Sequence, residues 1–169
     1  DTVLKTAISD LEVDQREMNS KIYYIRYPIE NSSEFITIAT TRPETMLGDT
    51  AIAVNPKDSR YKGHVGKTVT IPIVGRKIKI IKDNYADPEQ GTGALKITPA
   101  HDFNDYDVGQ RNKLEIINIF TEEGKINDNA PKDYLGLDRF DARKRILKEL
   151  KEKDFFVKEE NIKNKDPNG

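Results

Sequence analysis

Residues 21–40 read KIYYIRYPIENSSEFITIAT, two runs rich in β-branched and aromatic side chains on either side of the polar cluster Glu30-Asn31-Ser32-Ser33. Branching at Cβ restricts χ1 and disfavours a helix, while Asn and Ser supply the local hydrogen bonds of a turn. The stretch therefore predicts a β-hairpin of Lys21 to Ile29 and Phe35 to Thr40. Working outward, Arg42-Pro43 breaks the pattern and Gly48-Asp49 punctuates it before the short apolar run Ala51 to Val54. TTRPETMLGDT is thus expected as a loop or short helix between strands. Lys67 to Val74 alternates Val69, Ile71 and Ile73 with polar or breaking residues, and Gly75-Arg76 separates it from Lys77 to Ile81, which predicts a second hairpin. Further strands are expected over Thr92 to Thr98, Glu115 to Phe120 and Phe155 to Val157, and a short helix over Asn104 to Asn112. A longer helix is expected over Arg139 to Lys153, capped by Asp138 and carrying the apolar stripe Ile146, Leu147 and Leu150. At least six short strands and two helices, without regular strand-helix alternation, predict an α+β fold: a curved sheet or β-barrel core with a few short helices.

The 169 residues suit a single domain, and residues 1–9 and 161–169 read as polar connectors to something larger. With 28 basic and 29 acidic residues the net charge is −1, so no global positive field captures a nucleic-acid backbone, and any such contact must be local. No apolar run approaches the roughly 18 residues needed to span a bilayer, and the opening DTVLKTAISD carries no apolar signal core; no membrane association and a cytoplasmic location are expected. Cysteine is absent, which excludes disulfides, thiolate zinc sites and a cysteine nucleophile and leaves His64 and His101 as the imidazoles. No metal and no cofactor are expected.

Several chemistries fail on spacing. Gly91-Thr92-Gly93 completes neither a phosphate loop nor a dinucleotide fingerprint, because position 96 is Lys. A calcium loop started at Asp102 would place Tyr106 and Asp107 where a ligand and a glycine are required. The serines occupy turn or connector contexts without G-x-S-x-G. Two segments remain, Thr40-Thr41-Arg42-Pro43-Glu44-Thr45 and Lys96 to Asp105 (KITPAHDFND), dense in small polar and charged residues beside predicted strands. They could face one pocket. Composition alone equally allows threonines as β-formers, with Asp102 a helix cap and Asp105 a first-turn acid.

TTRPETMLGDTA (40–51) and GTGALKITPAHDFNDYDVG (91–109) resemble the two signature segments of the editing domain of class I aminoacyl-tRNA synthetases. The similarity extends from TAISDLEV through GKTVTIPIVGRKIKII to IINIFTEEGKINDNAPKDYLGLDRFDARK, and KITPAHDFNDY has valyl-type wording. Isoleucyl- or leucyl-type editing domains, or a non-catalytic module that docks a tRNA 3′ end, stand as alternatives.

The resemblance implies hydrolysis of the ester of threonine wrongly attached to valine tRNA, at a site separate from the synthetic one. A hydrophobic pocket rejects an isosteric hydroxyl only about a hundredfold, the valyl enzyme against threonine being the standard illustration. By the same resemblance, Asp105 holds the substrate's α-ammonium, helped by Thr98, and Asp102 accepts from its side-chain hydroxyl. Lys96 and Arg42 neutralise the terminal adenosine region or order the acids. Thr40, Thr41 and Thr45 form a threonine-rich wall, with His101 beside it. Where the family often carries an aromatic just before GTG, this chain has Gln90, a weaker platform for the terminal base. The implied partners are the 3′ end of aminoacylated valine tRNA and the remainder of a synthetase. The adenylation signatures are missing from the chain, so ATP binding and aminoacylation are not expected of it.

Overall fold

A computed structural model describes residues 20–162. Strands β1 (Lys21–Pro28) and β2 (Phe35–Thr40) pair antiparallel, with Tyr23 opposite Thr40 and Pro28 opposite Phe35. The turn between them places Asn31 at φ 60°, a left-handed conformation that Asn tolerates better than most residues. Period-two alternation sends Tyr23, Ile25 and Tyr27 inward, and Ile29 continues the same face. On the other side of β1 lies β7 (Phe156–Asn161), antiparallel, with its register shifted between Tyr24 and Ile25.

A second, mixed sheet has the order β4-β5-β3-β6. Its members are β3 (Ala51–Val54), β4 (Thr68–Thr70), β5 (Lys77–Lys82) and β6 (Leu95–Ile97). All four residues of β3 are buried, as a continuous apolar strand with sheet neighbours on both edges should be. The bridge Ile29–Val69, with Glu30 N donating to Thr68 O at 2.8 Å, ties the two sheets together. Helix α1 (Phe103–Arg111) follows β6, and α2 (Arg139–Glu152) buries Ala142, Ile146 and Leu150. Asp138 caps α2 by accepting from Asp141 N at 2.8 Å. The architecture is the expected α+β arrangement of curved sheets with few helices. Among the described residues no helix is long and apolar enough to cross a membrane.

TTRPETMLGDT holds the expected short helix, a wholly buried 3-10 turn over Pro43–Gly48. Four expected strands differ in extent. The strand expected over 67–74 stops at Thr70, because Pro72 has no N–H to donate and Ile73 adopts φ 70°. The strand expected over 92–98 begins only at Leu95, since Gly91 and Gly93 both have positive φ. Residues 115–120 form no strand beyond the single bridge Phe120–Ile126. There the backbone is satisfied by side chains: Asn127 Nδ2 donates to Asn118 O at 2.8 Å, and Ile119 N donates to a histidine. The closing strand, conversely, is longer than expected and ends at Asn161, which pairs with Lys21. The connectors expected at 1–9 and over most of 161–169 lie outside the described residues.

Candidate active site

The C-terminal end of β2, the 3-10 turn, β6 and the start of α1 converge. Ala39, Thr40, Thr41, Arg42 and Thr45 come from one side, Leu95, Lys96, Asp102 and Asp105 from the other, with Tyr85 at the edge; together they line a cleft of about 230 Å³. A larger neighbouring cavity of about 480 Å³ shares Thr40, Thr41 and Tyr85 and extends to Gln90 and Gly91. Gln90 therefore lies on the adjoining cavity, not on the cleft that holds the acids.

Asp102 is the N-cap of α1, Oδ1 accepting from Asn104 N at 2.9 Å and from Asp105 N at 3.1 Å. Its Oδ2 takes Arg42 Nη2 at 2.7 Å. Arg42 Nη1 donates to His101 O at 3.2 Å, so this guanidinium orders the acid and the turn before the helix together. The plain reading of Asp102 as a cap and its position on the cleft thus hold at once.

Asp105 sits in the first turn of α1 with 7% of its surface exposed, Oδ2 accepting from Thr98 N at 2.9 Å. Burial, then repulsion from Asp102 and more weakly from Asp49, pushes its carboxyl up to about 7, against the lowering influence of the Thr98 N–H and the Lys96 ammonium. The same two cleft acids, after burial itself, raise the phenol of Tyr85.

Lys96 points into the wall. Its Nζ donates to Thr45 Oγ1 at 2.7 Å and Thr98 Oγ1 at 2.6 Å and pairs with Asp49 Oδ1 at 2.8 Å. Thr98 Oγ1 donates to Asp49 Oδ1 at 2.7 Å and is itself buried behind the cleft. Of this residue, the backbone N–H is what reaches Asp105.

His101, set beside the threonine-rich wall by the resemblance, is not among the residues that line the cleft. Its side chain is fully buried, Nε2 accepts from Ile119 N at 3.0 Å, and the ring stands edge-on to Phe120 with centroids 5.0 Å apart. Because Nε2 accepts, the neutral ring carries its proton on Nδ1. Burial, aided by the charges of Arg42 and Lys96, lowers its pKa to about 3. It braces the segment after α1 from beneath the cleft.

Three residues were not anticipated from the sequence. Asp49 looked like turn punctuation, yet it is the buried counter-ion of Lys96. Tyr85 stood in an unremarkable polar stretch but borders both cavities. Glu44 is wholly buried and clamps Arg143 of α2 through two bonds of 2.7 and 2.8 Å, fixing the threonine-bearing turn to that helix. A carboxylate two positions before the apolar pair Met46-Leu47 was the available signal for the last. Among the described residues no group of three or more His, Asp or Glu is placed to hold a metal ion.

The family model of the leucyl-tRNA synthetase editing domain matches residues 58–136. A valine–tRNA ligase of Pelagibacter ubique is 85% identical over the whole chain, which covers 19% of it, and that of Thermotoga maritima is 56% identical over 91% of the chain, covering 18% of it. The chain thus spans about a fifth of the length of these relatives. Among solved structures, an Agrobacterium radiobacter LeuRS–tRNA–LeuAMS ternary complex superposes with TM-score 0.65 at 21% identity, over 95% of this chain and 24% of that one. The GlLeuRS-CP1 crystal structure superposes with TM-score 0.62 at 14% identity, over 83% of this chain and all of that one. With the fold shared by these structures and the sequence shared along its full length with a valine–tRNA ligase, the chain belongs to the editing (CP1) domain family of class I aminoacyl-tRNA synthetases, in its valyl branch.

Proposed function

We propose that the domain hydrolyses the aminoacyl ester of threonine mischarged onto valine tRNA, releasing threonine and free tRNA, as the proofreading part of a longer cytoplasmic synthetase. The observation that carries this reading is the pair of acids, Asp102 and Asp105, set against a threonine-lined wall in a cleft of about 230 Å³, a size suited to an amino acid. Asp105, with Oδ2 held by Thr98 N, receives the α-ammonium, and ion pairing with that cation favours its charged form on binding. Asp102, oriented by Arg42, and the Thr40 and Thr41 hydroxyls offer partners to the substrate's side-chain hydroxyl. Valine lacks that hydroxyl and would leave these groups unpaired, so it is disfavoured.

The neighbouring cavity along Thr41, Tyr85 and Gln90 takes the terminal nucleoside of the tRNA 3′ end. An aminoacyl ester is already activated, so holding its carbonyl beside one water and the vicinal ribose hydroxyl accounts for hydrolysis without a covalent nucleophile. Water adds to the carbonyl carbon, the ester C–O bond breaks, and the ribose oxygen leaves with a proton. The remainder of the synthetase supplies most tRNA contacts, consistent with the near-neutral charge of this chain.

The test is release of amino acid from threonyl- and valyl-tRNA, both on valine tRNA, by the synthetase bearing this domain as wild type and as Asp105→Ala. Preferential threonine release, lost in the variant, is expected. Equal background rates in all samples would leave the 3′-end docking module as the better description.

A further inference from the structure

Asp49 has no exposed surface, and three side chains converge on its carboxylate. Tyr27 Oη donates to Oδ2 at 2.6 Å, while Thr98 Oγ1 at 2.7 Å and Lys96 Nζ at 2.8 Å meet Oδ1. Its backbone carbonyl accepts from Arg76 Nη2 at 2.6 Å. Asp49 is absent from the cleft wall, but Lys96 is part of that wall. An ammonium has three protons, and Lys96 has three acceptors inside the protein: Asp49 Oδ1, Thr45 Oγ1 and Thr98 Oγ1. Both hydroxyls are committed in turn, Thr45 Oγ1 donating to Arg42 O at 2.8 Å and Thr98 Oγ1 to Asp49. No proton of Lys96 is left to point at a ligand.

We propose that Asp49 is a positioning residue: its buried charge keeps the Lys96 ammonium turned into the wall, where it orders Thr45 and Thr98, and so keeps it off Asp105. This role rests on the editing reading, in which Asp105 must remain open to the substrate's own ammonium. Of the two acids on the cleft, Asp102 is already paired with Arg42. If Asp49 lost its charge, Asp105 would be the acid left for Lys96, and a resident cation would compete with the substrate's. The groups facing this cluster are Tyr27 from β1, Arg76 from the turn before β5, Thr45 in the 3-10 turn and Arg42 at its start, and Asp102 and Asp105 at the start of α1. Removing one negative charge and turning a positive one toward Asp105 both make its carboxyl more acidic.

The experiment compares steady-state threonine release from threonyl-tRNA on valine tRNA, from about pH 5.5 to 8.5, by synthetases carrying wild-type, Asp49→Asn, Lys96→Met and doubly substituted domains. Asp49→Asn is expected to lower kcat/KM at least about tenfold, mainly through KM, and to move the acid limb of the profile down by about half a pH unit or more. In the Lys96→Met background the same change should cost less than about threefold, because Asp49 acts through Lys96. Multiplying losses in the double variant, with an unmoved acid limb, would reduce Asp49 to a support of the fold and overturn the proposal. Should Asp49→Asn fail to fold, the comparison of Lys96→Met with the double variant, where the buried pair is neutral on both sides, decides the matter. Threonine release at background in the wild type would instead sink the editing reading, and this role with it.

Discussion

Asp105→Asn should stabilise the domain at alkaline pH while abolishing editing. The carboxyl of Asp105 is raised from the ordinary 3.8 to about 7, chiefly by burial and by Asp102. A raised carboxylate means that the folded state binds its proton more tightly than the unfolded chain. Its contribution is fully present below pH 4 and is lost as pH rises through 7, so above 7 the folded protein holds a strained buried charge. At about 1.36 kcal/mol per pH unit the gap corresponds to a ceiling of about 4 kcal/mol. An amide keeps the shape and still accepts from Thr98 N, so Asp105→Asn should recover about 2–4 kcal/mol at pH 8.5 and almost nothing at pH 3.5. For a chain of this length that is a rise in Tm of roughly 5–15 °C. Urea titrations of both proteins at several pH values measure the difference, alongside threonine release. A stability difference independent of pH, or a variant less stable at pH 8.5, would refute the claim that the cleft stores electrostatic strain in this carboxyl.

Glu44→Gln replaces one of the two carboxylate oxygens that accept from Arg143 with an amide N–H that cannot accept, and is expected to cost about 1–3 kcal/mol in urea unfolding. Gly93→Ala should destabilise by about 1–3 kcal/mol: φ is +85°, and a Cβ there would lie 2.5 Å from Arg60 Nη2 and 2.9 Å from Asp58 Oδ2. The same substitution at Gly63, where a Cβ would meet nothing within 4 Å, serves as the control. The His101 ring, held neutral with a pKa near 3, should show imidazole resonances that stay flat from about pH 5 to 8; a titration inside that window would mean that water reaches the ring.

The sheets and helices were largely legible because period-two alternation in KIYYIRYP and the apolar stripe of the last helix are local patterns. Strand ends were legible less often. Pro72 and Ile73 end β4, and the glycines around Thr92 delay β6, both through backbone constraints that a hydropathy pattern understates. Residues 115–120 have strand-like composition but find no strand partner beyond one bridge, and pairing is a property of two segments, not of one.

For the site, the chemistry-bearing types were visible, and TTRPET and KITPAHDFND do meet in one cleft. What the chain alone determined was which groups were available, that Asp102 could cap a helix, and that Asp105 would stand one turn inside it. Only the tertiary structure decided where each group points. It turned Lys96 inward onto Asp49, 47 positions earlier in the chain, and sent His101 into the core. It also brought Tyr85 to the mouth of both cavities. The physical reason is that a charge or a polar hydrogen takes whichever partner burial leaves within about 3 Å, and that distance is set by packing between segments remote in sequence.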